Sequence, residues 1–182
     1  MTADARADRA RLFFALWPDA AVREALAAAA RDAQTGCGGR ATAPDKLHMT
    51  LFFVGDIERS RVETLKTLAG AIEGRPFELA ISAVGYWRHN RIVWAGSARC
   101  PSQLAALVAD LQGKLSPAGM CTEDRPFLPH VTLVRNARHP PRKKAIIPLV
   151  WSAHDFVLVE SAPARGGVSY EVISRWPLTA PL

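Results

Sequence analysis

Residues 45–55 read DKLHMTLFFVG, and residues 125–135 read RPFLPHVTLVR. Both carry His-x-Thr-Leu: His48, Thr50 and Leu51 in the first, His130, Thr132 and Leu133 in the second. A given His meets Thr two places on and Leu three places on roughly once in 200 trials, so two hits among the 5 His of this chain are on the order of a 1 in 4,000 coincidence. Both copies sit in apolar runs that read as strands. On a strand, side chains at i and i+2 share a face. His48 and Thr50 therefore point one way while Met49, Leu51 and Phe53 turn the other way to pack on helices. In the second copy His130 and Thr132 pair, with Val131 and Leu133 opposite.

If the two strands face each other across a cleft, two imidazoles and two hydroxyls converge. That set suits phosphodiester cleavage: one His takes a proton from attacking water and the other gives one to the departing oxygen. An imidazole with an unperturbed pKa of about 6.5 serves in either role. The hydroxyls of Thr50 and Thr132, with nearby backbone N–H groups, suit the non-bridging oxygens as charge builds there. Neither motif has a carboxylate, Cys or second His at ligand spacing, so no metal or other cofactor is expected.

Composition sets the wider bounds. The 182 residues, 49% of them hydrophobic, can bury a core as one domain or as two small lobes sharing one. The first 20 residues mix charges of both signs with a brief apolar run and match neither a signal peptide nor a membrane span. Three cysteines, Cys37, Cys100 and Cys121, make an odd set without C-x-x-C spacing, which argues against a disulfide framework and a zinc knuckle. A soluble protein of the reducing cytoplasm is expected. The net charge of +6 favours polyanionic partners and says nothing of fold.

Periodicity gives the elements. RLFFALW reads as a buried strand stopped by Pro18, with Asp19 capping a helix through AAVREALAAAARDAQ up to the GCGG turn. Asp56 is expected to cap a second helix, VETLKTLAGAIEG. FELAISAVGYW and RIVWAG read as strands joined by a hairpin tip at RHN. PSQLAALVADLQGKL reads as a helix, RHPPRKK as a basic loop, and SAHDFVLVES and VSYEVISRW as late strands. Strands outnumber helices and are joined by short turns, which favours an α+β fold with antiparallel sheets over alternating parallel units.

HMTL and HVTL, with RLFFALWPDAAVREAL, GYWRHNRIVWAG and ARGGVSYEVISRWPL, resemble the two-histidine phosphoesterase superfamily. The likeness is to its RNA 2′,3′-cyclic phosphodiesterases, historically named 2′-5′ RNA ligases. The resemblance implies one bilobal domain over residues 1–182, with two antiparallel sheets and flanking helices related by a pseudo-twofold axis, and one motif per lobe. It implies metal-independent hydrolysis of a terminal 2′,3′-cyclic phosphate on RNA or a nucleotide to a 2′-phosphomonoester, and 2′-5′ ligation as the reverse reaction. It makes His48 the proton donor and His130 the proton acceptor, with Thr50 and Thr132 on phosphate oxygens.

Relatives often carry Arg after the second motif, and a guanidinium at Arg135 is apt for phosphate. Strand parity nevertheless turns position 135 away from His130 unless the strand ends or bulges there. Phe13 stands where relatives have an aromatic near the cleft and is the candidate to stack on a base; Trp87, beside RHNR, is a further RNA contact. Arg138, His139, Arg142, Lys143 and Lys144 form a basic loop suited to RNA backbone. His89, His139 and His154 have no partner motif and receive no chemistry. Two other readings stay open: 2′-5′-linked oligonucleotides or small nucleotide cyclic phosphates as substrates, and an RNA-binding module that merely holds phosphate. No membrane and no obligate protein partner is expected.

Overall fold

The computed structural model describes residues 8–119, 126–142, 145–165 and 167–179. The elements run β1 (Arg9–Leu16), α1 (Ala20–Cys37), β2 (Arg40–Ala41), β3 (Met49–Glu58), α2 (Val62–Gly70), β4 (Phe77–Trp87), β5 (Ile92–Gly96), α3 (Ser102–Leu115), β6 (His130–Arg135), β7 (Ala145–Ala153), β8 (Asp155–Ala164) and β9 (Gly167–Pro177). They make an α+β fold of two antiparallel sheets, β3-β1-β8-β9 and β2-β6-β5-β4-β7.

β1 lies between β3 and β8, and from Leu12 onward it is buried on both faces. Ala10, Leu12, Phe14 and Leu16 face the main core, while Phe13 and Ala15 face a smaller cluster with Trp17, Val157, Val159, Tyr170 and Val172. A fully buried side chain such as Phe14 contributes about 1.5–3 kcal/mol through removal from water.

α1 starts as its cap predicts, with the Asp19 carboxylate accepting from the Val22 N–H at 2.8 Å. Val22, Leu26 and Ala30, one turn apart, are its buried stripe. The helix follows a strand of the first sheet yet packs against β2, β6 and β7 of the second. α3, which follows β5 of the second sheet, lies on β3 and α2. This exchange of helices merges the two sheets into one core that includes Phe14, Leu26, Leu79, Leu104, Val131 and Phe156.

Three expectations need correction. Asp56 caps no helix: β3 runs on to Glu58, which pairs with Arg9, and the Asp56 carboxylate sits 3.5 Å from Arg11. α2 begins after a 3-10 turn at Arg59–Arg61 and has no side-chain cap. SAHDFVLVES is two strands, because Ala153 ends β7 in one sheet and Asp155 begins β8 in the other. Phe53 does not pack on a helix; it is 46% exposed, whereas Phe52 is buried. Cys121, Lys143 and Lys144 lie outside the described residues.

Candidate active site

The second motif lies on β6 and the first on β3 with His48 just before it, β3 being the edge of its sheet and β6 the strand inside the short β2, and the two strands pack together. Both ladders slip one residue at the motif leucine. In the first, Thr50 pairs with Ala15 and Phe52 with Phe14, leaving Leu51 unmatched; in the second, Thr132 pairs with Trp94 and Val134 with Val93, leaving Leu133 unmatched. Each bulge inverts the side-chain alternation beyond it. Leu51 and Phe52 are both buried, as are Leu133 and Val134, and the next residue turns outward in each copy: Phe53 in one and Arg135 in the other. Arg135 thus shares the face of His130 and Thr132, contrary to unbroken parity.

The imidazoles are held alike. Nδ1 of His48 lies 2.8 Å from the Lys46 carbonyl, and Nδ1 of His130 lies 2.8 Å from the Leu128 carbonyl. A carbonyl only accepts, so each Nδ1 carries its proton and, in the neutral ring, each Nε2 is the accepting nitrogen. Nε2 of His48 lies 3.1 Å from the Thr50 hydroxyl, which donates to it in the neutral ring.

Aromatic rings set the orientation. Trp17 stacks on His48 at 5.5 Å and 9° between planes; Phe13 lies at 4.9 Å, and Tyr170 meets the ring edge-on at 5.2 Å. Across the cleft, Trp87 stands edge-on to His130 at 4.6 Å with Trp94 behind at 6.5 Å. The indole of Trp94 fits because Gly85 lacks a Cβ, which would overlap it.

Burial among these rings pushes His48 down to about 4. The Lys46 carbonyl opposes that fall, while the positive charges of Arg135 and His130 add to it. His48 is therefore neutral at pH 7. Its sensitivity to both charges ties the two motifs electrostatically. No three His, Cys, Asp or Glu side chains among the described residues converge as a ligand set.

The known proteins that match carry this same architecture. The profile of the LigT-like phosphoesterases fits residues 16–94. An RNA 2′,3′-cyclic phosphodiesterase of Escherichia coli K12 is 34% identical over 174 residues, spanning 93% of this chain and 97% of the relative. The chain belongs to the LigT-like phosphoesterase family. A second LigT-like relative, the RNA 2′,3′-cyclic phosphodiesterase of Thermus thermophilus, is 28% identical over 179 residues, 92% of this chain and 90% of its own. The crystal structure of E. coli LigT complexed with 3′-AMP superposes with a TM-score of 0.84 and 33% identity, covering 94% of this chain and 99% of that one.

Within this LigT-like frame, β3 packs on β6, His48 bonds Thr50, and His48 feels the charges of His130 and Arg135, whose face Thr132 shares. Phe13 is only 4% exposed and offers little surface to a base; its ring supports His48 from below, and Phe53, 6.1 Å away, is the open aromatic. Sequence reasoning did not reach Trp17 or Tyr170. Trp17 lies just past β1, where the aromatic before Pro18 was a faint signal; Tyr170 reaches His48 only through the pairing of distant strands, which leaves no local sign. Arg138 and Arg142 are exposed, and the backbone N–H groups of Arg138 and His139 bond the Cys37 carbonyl at 2.8 and 3.2 Å. No helix among the described residues is long and apolar enough to cross a membrane.

Proposed function

We propose that this LigT-like chain is an RNA 2′,3′-cyclic phosphodiesterase that hydrolyses a terminal cyclic phosphate to a 2′-phosphomonoester through His48 and His130. The observation that carries this reading is the duplicated His-x-Thr-Leu strand, bulged at the same leucine in both copies, with each imidazole held through Nδ1 by the carbonyl two residues before it. Water adds to phosphorus as its proton passes to Nε2 of His130. The P–O3′ bond breaks as O3′ receives the proton of His48 Nε2. The product carries the phosphate on O2′ and a free 3′ hydroxyl.

Thr50, Thr132 and Arg135 hold the non-bridging oxygens. Each positioned acid or base contributes about 10²–10⁴-fold. His48 takes up its proton with the substrate, because the phosphate anion favours the charged ring against the burial that chiefly keeps it neutral, and also offsets the smaller effect of Arg135 and His130. Phe53 offers a face to the terminal base, with Phe13 beneath it. No metal takes part, and with a 5′ hydroxyl of RNA as the acceptor the same groups run the 2′-5′ ligation. The odd cysteine set supports the reducing cytoplasm as the place of action.

The test is turnover of an oligoribonucleotide ending in 2′,3′-cyclic phosphate, with the product's phosphate position identified. His48→Ala and His130→Ala should each lower the rate at least 100-fold, a drop of about 2.7 kcal/mol in transition-state stabilisation, and EDTA should leave the wild type unaffected. Wild-type rates in both variants, or metal-restored inhibition by EDTA, overturn the mechanism. A diester with a p-nitrophenolate leaving group separates the roles. It needs no proton donor, so His48→Ala should lose far less on it than His130→Ala.

A further inference from the structure

Outside the catalytic groups, the two lobes differ sharply in how they treat their basic residues. In the first sheet and beside it four are matched with carboxylates, Arg11 with Asp56 at 3.5 Å, Arg59 with Glu160 at 2.5 Å, Arg175 with Asp155 at 2.6 Å and Lys66 with Glu63 at 2.8 Å, while Arg9 and Arg61 donate to the carbonyls of Asp56 and Ala118. At the rim of the second sheet they are not. Residues 36–43, 84–96 and 126–142 contain no Asp or Glu, yet carry Arg40, Arg88, Arg91, Arg135, Arg138 and Arg142, all exposed. None of these six has a carboxylate partner among the described residues.

The rim is rigid as well as basic. Arg40 is the register partner of Arg135. The Ala137 N–H bonds the Arg91 carbonyl at 2.9 Å, which ties the β4–β5 tip to the segment that follows Arg135. Gly39, at φ 83, is pressed so close to that segment that a Cβ would sit 2.6 Å from the Arg135 carbonyl oxygen and 2.9 Å from the Ala137 nitrogen. Arg91 and Asn136 themselves hold positive φ of 55° and 54°, a conformation sustained only where surrounding contacts over-determine it. Three separate segments are thus joined into one positively charged ledge. Trp87 connects it to the cleft, because its ring touches His130 while the next residue, Arg88, stands at the exposed tip.

We propose that the RNA strand 5′ to the reacting nucleotide leaves the cleft past Trp87 and runs along this ledge, with Arg40, Arg88, Arg91 and Arg138 on successive phosphates. The proposal rests on the cyclic phosphodiesterase reading and adds to it the path of the strand outside the cleft and the residues that hold its phosphates. Guanidinium contacts to phosphate carry affinity without sequence choice. For a single strand, each phosphate neutralised makes the logarithm of affinity fall with the logarithm of salt by about 0.7. Four contacts therefore predict a slope of about −3 for an oligonucleotide and a much shallower one for a mononucleotide.

The experiment compares kcat/KM on adenosine 2′,3′-cyclic phosphate and on an oligoribonucleotide bearing the same end. It uses the wild type, Arg88→Glu/Arg91→Glu, and the charge-matched control Lys66→Glu/Arg75→Glu, on α2 and in the segment that follows it. The ledge variant should lose at least tenfold on the oligonucleotide, stay within twofold on the mononucleotide, and show a salt slope shallower by about 1.4. The control should change neither. Equal losses on both substrates, no loss on the oligonucleotide, or equal loss in the control overturns the proposal. If the wild type turns over neither substrate, the activity assigned above fails. Anisotropy of a labelled oligonucleotide ending in 2′-phosphate, which needs no turnover, still decides the ledge: unchanged affinity in Arg88→Glu/Arg91→Glu refutes it.

Discussion

The depressed pKa of His48 has a cost in acid that can be measured without substrate. In an unfolded chain its imidazole titrates near 6.5; in the folded protein it titrates at about 4. Between these values the unfolded state binds the extra proton, so stability rises with pH through that window. The stability is fully present above about pH 6.5 and is lost progressively as pH falls to 4, by about 3 kcal/mol in all. Urea titrations at pH 7.5 and pH 5 should show the wild type losing about 2 kcal/mol more than His48→Gln, which has no ring to titrate. An equal loss in the two proteins would mean that His48 is not held neutral by its surroundings. As the proton donor, the same group sets the alkaline limb of the kcat/KM profile, the rate falling as pH rises above its free-enzyme value of about 4. Trp17→Ala, which opens one face of the ring to water, should move that limb upward. The paired His and Thr, proposed above as catalytic, were legible because an i, i+2 pair on a strand needs no tertiary information to share a face. The enclosure that tunes His48 was not legible, since Phe13, Trp17 and Tyr170 meet only through the β1–β8–β9 ladder.

At the scale of the element, the bulges separate what the sequence showed from what it hid. Period-two reasoning placed Met49, Leu51, Val131 and Leu133 correctly in the core, and it misdirected Phe53 and Arg135 because one unmatched leucine per motif reverses the count. Nothing in HMTLFF or HVTLVR announces an unpaired residue; only two apolar residues in succession, Leu51-Phe52 and Leu133-Val134, hint that both must be buried. β7 escaped notice for a related reason. Pro148 inside IIPLVW argues against a central strand, and the structure puts it in an edge strand of its sheet, where a missing N–H is tolerated. β4 owes its passage under Trp94 to Gly85. Gly85→Ala should cost about 1–3 kcal/mol as the indole is displaced, and should lower kcat by loosening the support of His130. Unchanged melting temperature and kcat in that variant would show that the indole has room to move.

Across the whole molecule, the α+β class with antiparallel sheets could be read from the chain, while the exchange of α1 and α3 could not. An amphipathic stripe specifies that a helix is half-buried and leaves open which sheet covers it. Because each helix seals the other sheet, the lobes share one core and should unfold together. Tryptophan fluorescence, which reports Trp17 and Trp176 beside the first sheet and Trp87, Trp94 and Trp151 in the second, should trace the same denaturation curve as far-ultraviolet circular dichroism. Two resolved transitions would make the lobes independent. The position of β1 has a consequence for biosynthesis. One of its edges is completed by β3 soon after it is made, but the other waits for β8, near the far end of the chain. A nascent polypeptide on the ribosome therefore carries an unzipped apolar strand through most of its translation. Protection by chaperones matters most in that interval, and a premature stop before residue 155 leaves a product prone to aggregate rather than a smaller enzyme.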